Sequence, residues 1–209
     1  MIAKTIASIL TLVFLTVVPC MAGSTDPMET IRTPIDALMV ILNDPQYKEP
    51  GTKAAQRDEI WKIVKPMFDF VEISKRTVAR NWRDFSDAEK TAFTDVFAQF
   101  LANTYIDKIQ GEYHNEKIVY LNQDFYSDAY AEVKTQVLRE TAEIPVNYRM
   151  FKDGADLWKV YDIIVEGVSL VKNYRTQFAS ILKKDKPAAL IQMLNEKLAQ
   201  QNQRLAENG

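Results

Sequence analysis

Histidine and cysteine, the types most used to move a proton near neutral pH, attack a carbon or hold a transition metal, are scarce in this chain. His114 is the one histidine and Cys20 the one cysteine. His114 stands in a polar stretch between Tyr113 and Asn115. It could serve as a general base, but a solvated loop histidine is the plainer reading. Without a second histidine the usual zinc ligand sets cannot be assembled. With 6 glycines in the chain, no glycine-rich phosphate loop appears. Gly167-Val168-Ser169 lacks the pattern of a nucleophile elbow. Asp162 and Glu166 are the carboxylates of most interest. Four apart in an otherwise apolar run, they would share one face of a strand and could work as a catalytic pair. The structural alternative has Glu166 capping the next helix or pairing with Arg149 or Arg175. An enzyme needs both carboxylates exposed together in a cleft with raised pKa values; burial against arginine argues the opposite. No catalytic residue, metal site or cofactor is assigned.

Around these residues the chain divides into helical and extended stretches. Asp26-Pro27-Met28-Glu29 predicts a helix start, and Ile31, Ile35, Leu38, Met39 and Leu42 recur at helical spacing. Pro34 is expected to split that helix. The turn-rich run Asn43 to Gly51 connects it to a second helix with Ile60, Ile63, Val64, Met67, Phe68 and Val71 on one face. Pro66 predicts a kink or break there, and a short third helix is expected over Ile73 to Asn81. Ser86 and Glu89 form a capping box. The helix they open carries the widest apolar stripe, including Phe93, Phe97, Phe100, Leu101, Tyr105 and Ile109, with Gly111 as its expected stop.

From Lys117 the period changes. Ile118 to Leu121, Tyr130 to Leu138, Ile144 to Phe151 and Leu157 to Val165 read as strands joined by short connections, with a hairpin signal at Asp153-Gly154. Such a meander predicts an antiparallel sheet of about four strands. Val133, Thr135 and Val137 share one face, as do Val146, Tyr148 and Met150. Helical spacing returns at Val168, and a last helix begins near Pro187; the polar tail from Gln200 is expected to fray. Helices, then strands, then helices give an α+β class with the sheet packed against helices.

The N-terminus has a different character. Lys4 precedes an apolar run from Ile6 to Val18 and a small-residue stretch ending near Ala22. These are the parts of a secretory signal, expected over residues 1–22. Cys20 follows Pro19, which does not suit lipoprotein processing, so it is expected to leave with the signal. Residues 23–209 then form the mature domain: helical over 26–111, sheet over 117–166, helical again over 168–200. The formal net charge is −2 with no basic stripe in the sequence, which speaks against nucleic acid as a partner.

The stretch WKVYDIIVEGVSLVKNYRTQFASI resembles the hallmark segment of the MlaC, or toluene-tolerance auxiliary, family. It carries Tyr161-Asp162, then Glu166-Gly167-Val168-Ser169, then Asn173-Tyr174-Arg175 and Phe178. The segment with Val146, Tyr148 and Arg149 and the lead Trp82-Arg83-Asp84-Phe85-Ser86 are also similar to the family. The resemblance implies a monomeric periplasmic protein, without catalysis, that holds phospholipid tails in an apolar pocket between sheet and helices. It implies exchange of lipid with an inner-membrane ABC-type transport complex and an outer-membrane lipoprotein–porin complex, in the service of outer-membrane lipid asymmetry. Some relatives are tied to hopanoids or solvent tolerance, so the cargo stays open.

Alternation and resemblance together select the expected lining: Phe93, Phe97, Leu101 and Tyr105 of the long helix; Val137, Val146, Tyr148, Ile163 and Val165 of the sheet; Val168 and Phe178 beyond it. Alternation does not decide between Ile163 and Val160. An aromatic stripe equally suits plain core, and a ligand-free interaction module of the cell envelope is the rival. A carrier should show a cavity of several hundred cubic ångströms. Val146→Arg or Phe97→Asp is expected to abolish lipid retention in a folded protein.

Overall fold

A computed structural model describes residues 26–208. The expected secretion signal and Cys20 lie outside the described residues. The first helix, α1 (Pro27–Asn43), is capped by Asp26, whose carboxylate accepts the Met28 N–H at 2.8 Å. It runs unbroken through Pro34, contrary to expectation. A proline frees only one carbonyl, here that of Thr30. Thr30 and Pro34 border a solvent-open groove, where water can satisfy it.

Pro66 does end a helix. α2 (Lys53–Val64) stops in a 3-10 turn at Lys65–Met67. α3 (Phe70–Val78) begins earlier and ends sooner than its apolar spacing suggested, because Asp69 caps it and Ala79 turns the chain at φ 49°, ψ −123°. A 3-10 stretch, Ala79–Asp84, leads to α4 (Asp87–Glu112). The capping box forms in both directions, Glu89 N–H to Ser86 Oγ at 3.3 Å and Ser86 N–H to Glu89 Oε2 at 2.9 Å. Gly111 lies inside α4 rather than ending it.

The sheet has five antiparallel strands in sequential order: β1 (Lys117–Ser127), β2 (Tyr130–Leu138), β3 (Glu143–Lys152), β4 (Trp158–Val165) and the two-residue β5 (Val168–Ser169). The class is α+β, as expected. β1 is longer than its apolar run because its second half pairs through the polar residues Asn122, Gln123 and Asp124. β5 is too short to leave a pattern in sequence.

α5 (Leu170–Leu182) and α6 (Pro187–Asn208) complete the chain. The polar tail is helical and docked. Gln201 Nε2 donates to Thr104 Oγ1 and Asn103 Nδ2 to Asn202 Oδ1, each at 2.8 Å, so amides rather than apolar groups hold it on α4.

Three clusters of buried apolar side chains result. The first joins α3, α4, α5 and α6. The second lies between the sheet, α1 and Met67. The third sits between α1, α2 and the C-terminal half of α4. Phe68 packs against both the first and the second. Among the described residues no helix is long and apolar enough to cross a membrane.

Candidate functional site

Strand register fixes which side chains share the inner face of the sheet. Val133 faces Tyr148 and Tyr148 faces Ile163; Thr135 faces Val146 and Val146 faces Val165. A bulge in β4 breaks the alternation between the Arg149–Asp162 and Met150–Val160 pairs. One extra residue on one strand restores parity, so Ile163 and Val160 lie on the same face. Val160 and Trp158 are buried there with Met150, and Val146 and Ile163 pack partly buried against them.

The polar residues of this face are Tyr120, Gln123, Thr135 and the buried Tyr148. The Tyr148 hydroxyl is in hydrogen-bond contact with Thr135, and burial pushes its pKa up to about 12. Thr135 Oγ1 in turn donates to the Val146 carbonyl at 2.8 Å. Tyr120 donates to Asp36 Oδ1 at 2.7 Å and Gln123 Oε1 accepts the Met28 N–H at 2.8 Å, so α1 is hydrogen-bonded to the sheet across this otherwise apolar face.

The expected lining residues separate into three groups, with Val137 apart from them. Phe93, Phe97, Leu101 and Phe178 are buried in the all-helical cluster. Phe97 packs on Phe93, Tyr174 and Phe178 at ring distances of 5.6, 5.0 and 5.2 Å and is 0% exposed. Val146, Tyr148 and Ile163 belong to the sheet cluster. Tyr105, Val165 and Val168 are open to solvent at 37%, 41% and 63%. Val137 is half-buried between Ile118 and Ile144 on neighbouring strands. Val165 and Val168 face one another across the β4–β5 hairpin, an exposed aliphatic pair.

Tyr174 links two helices. Its hydroxyl is in hydrogen-bond contact with that of Tyr105, tying α5 to α4, and burial raises the pKa of both phenols. The family-like segment marked Tyr174 in the sequence but carried no signal of its partner, since the two lie on helices far apart in the chain. Ile118, Met150 and Trp158 are further residues on the inner face that the expected lining omitted.

The carboxylates of the sequence motif do not form a catalytic pair. Asp162 is 4% exposed and accepts from Ser169 Oγ at 2.6 Å and the Val171 N–H at 2.9 Å, with Arg149 at 3.8 Å. Glu166 is exposed on the β4–β5 turn, where it and Gly167 have φ of 50° and 80°. Two positive φ values in a two-residue hairpin loop make a type I′ turn. Asp162, not Glu166, caps the helix and meets the arginine. Arg175 instead donates to the Arg76 carbonyl. The Tyr-Asp and Glu-Gly-Val-Ser elements thus build a joint between β4 and α5. His114 donates its N–H to Glu116 on an exposed turn. Among the described residues no group of three or more acidic, histidine or cysteine side chains is placed to hold a metal.

Two concavities stand out. A groove of about 220 Å³ is lined by Thr30, Pro34, Ile63, Pro66, Met67, Leu157, Trp158 and Lys159. It meets the inner-face cluster through Met67 and Trp158. A shallow depression of about 560 Å³ lies over Met39, Val40, Asn43, Asp44 and Pro45. Neither is lined by any of the eleven expected residues. The groove falls below the roughly 300–1,000 Å³ of ordinary ligand pockets.

Comparison with known proteins adds a family and a fold. The family model described as MlaC protein matches residues 32–196. Among solved structures, the chain is similar to a phospholipid-binding protein from Ralstonia solanacearum, solved in complex with a phospholipid. The TM-score is 0.72 at 24% identity, over 85% of this chain and 99% of that one. No curated protein matches.

Proposed function

The chain belongs to the MlaC family, and from that premise we propose that it is a phospholipid carrier of the periplasm without catalytic activity. It takes lipid to and from an inner-membrane ABC-type transport complex and an outer-membrane lipoprotein–porin complex, and so maintains outer-membrane lipid asymmetry. The observation that carries this reading is the family match across residues 32–196. The likeness in fold to a protein solved with bound phospholipid supports it.

Physical chemistry explains why such a carrier is needed. Each methylene transferred from water contributes about 0.8 kcal/mol, so one sixteen-carbon chain costs on the order of 12 kcal/mol to expose. The acyl chains enter between the inner face of the sheet and the helices. Val137, Val146, Tyr148, Ile163 and Val165 form one wall. Tyr105 and Val168 stand at the mouth. Phe93, Phe97, Leu101 and Phe178 lie in the all-helical cluster, which adjoins the sheet cluster at Phe68, and join the lining once the layers part. The groove of about 220 Å³ is too small for a lipid chain, so loading parts the sheet from the helical layer. Parting them opens the sheet cluster, to which Ile31 and Met67 contribute from the helical side, so the acyl chains take the place of those contacts.

A ligand-free interaction module is the second reading, favoured by the small groove. Native mass spectrometry of the purified protein, followed by solvent extraction, separates the two. Stoichiometric phospholipid is the expected result, and a hopanoid would redefine the cargo. Protein that is lipid-free and takes no lipid from liposomes would overturn the carrier.

A further inference from the structure

The molecule carries a charge asymmetry that its near-neutral composition hides. Residues 70–84 hold Lys75, Arg76, Arg80 and Arg83 against two acids, Glu72 and Asp84. Residues 168–184 hold Lys172, Arg175, Lys183 and Lys184 and no acid. The whole chain has 26 basic and 28 acidic residues, so the remainder, with 18 basic and 26 acidic, is net negative.

The fold sets the two segments side by side. α3 packs along α5, and Arg175 Nε donates to the Arg76 carbonyl at 2.8 Å. Arg76 is held twice more, by Glu72 at 2.8 Å and by stacking 3.9 Å over the Tyr161 ring. Lys75, Arg80, Arg83 and Lys172 are exposed. The side chains of Arg80, Arg83 and Lys172 meet no carboxylate among the described residues. Val71 and Val168 add exposed aliphatic surface at 57% and 63%.

From this juxtaposition we propose that the face made by α3, the turn after it and α5 is the surface on which an acidic protein partner docks. The proposal rests on the carrier reading, which supplies the partners to test. Complementary charge across an interface speeds encounter and rejects wrong partners. Arg175 is exposed and held through Nε by the Arg76 carbonyl, so its remaining N–H groups are fixed in direction, which suits carboxylates fixed on another protein because the planar fork binds them in two-pronged fashion. Attraction to an anionic bilayer needs only generic charge and gains nothing from an arginine locked in place.

The test measures binding of the full protein to the two membrane complexes, each reconstituted in nanodiscs, and to phosphatidylglycerol vesicles, over a range of salt. Arg80→Glu/Arg83→Glu/Lys172→Glu is compared with wild type, with the Gln triple variant, and with Lys197→Glu on α6. Circular dichroism and lipid content report on folding and cargo. Wild type is expected to bind at least one complex, more weakly as salt rises. The Glu triple variant should lose roughly ten-fold or more, the Gln variant less, and Lys197→Glu nothing, with the lipid load unchanged. A triple variant that binds like wild type overturns the proposal. So does a wild type that binds neither complex, or one that binds the vesicles as tightly as the complexes. Wild type that carries no lipid yet docks, and stops docking in the triple variant, removes the carrier reading and leaves the docking face standing.

Discussion

The Ser169 hydroxyl donates to the Asp162 carboxylate at 2.6 Å, and the same carboxylate accepts the Val171 N–H at 2.9 Å. One buried side chain on β4 therefore fixes where α5 begins. Ser169 Oγ also accepts the Lys172 N–H at 3.0 Å, so two orphan donors of the helix N-terminus are satisfied through Asp162 and its partner. Asp162→Ala strands the Val171 N–H, the Ser169 hydroxyl and one contact of Arg149. It should destabilise the protein by about 2–3 kcal/mol, less than a fully buried ion pair because Arg149 is partly exposed. Asp162→Asn keeps an acceptor for Val171 and should cost about half as much. Urea unfolding of both variants checks the ranking; equal loss in the two would show that charge, not capping, dominates.

Val146 and Phe97 answer different questions. Phe97 is 0% exposed among aromatic rings, so Phe97→Asp buries an unpaired carboxylate and should unfold the protein rather than merely empty it. This corrects the sequence-based expectation of a folded variant. Val146 is half-buried on the inner sheet face. Val146→Arg is expected to stay folded, because its long side chain can reach solvent, and to purify without lipid. Circular dichroism and lipid extraction run together on both variants. A folded, lipid-loaded Val146→Arg protein would remove the sheet face from the proposed lining.

Ala79 sits at φ 49°, ψ −123°, a region natural to glycine and strained for any residue with a Cβ by about 1–3 kcal/mol. Ala79→Gly relieves that strain and gives back somewhat less than 1 kcal/mol in unfolded-state entropy. A net gain of about 1 kcal/mol is expected, read as a higher urea midpoint with an unchanged slope.

Alkali should act through Tyr148. Its pKa is raised from 10.0 to about 12 by burial, so the unfolded state gives up this proton first. The stabilisation is whole below pH 10, falls as pH rises from 10 toward 12, and amounts to roughly 2–3 kcal/mol. Burial raises the Tyr120, Tyr161 and Tyr174 phenols in the same direction. Tyrosinate absorbance and circular dichroism followed against pH should change together. Tyr148→Phe should flatten the loss of stability between pH 10 and 12, and a slope equal to wild type would place the sensitivity elsewhere.

The amino-acid sequence by itself determined what depends on neighbours a few residues apart. The capping box at Ser86 and Glu89, the Asp26 cap and the alternation in β2 and β3 are short-range matters of hydrogen bonding and side-chain period. So is the Tyr-Asp to Glu-Gly-Val-Ser run that marks the family. Tertiary structure decided what depends on distant chain segments meeting. A bulge put Ile163 and Val160 on one face, which no count of residues could foresee. The same bulge pointed Asp162 away from the inner face, toward Arg149 and α5. Both Phe97 and Tyr148 read as buried apolar-period positions, yet one entered the helical cluster and the other the sheet cluster. Periodicity reports that a side chain is buried; which layer buries it is set by packing between elements, where the energy lies in contacts far apart in sequence.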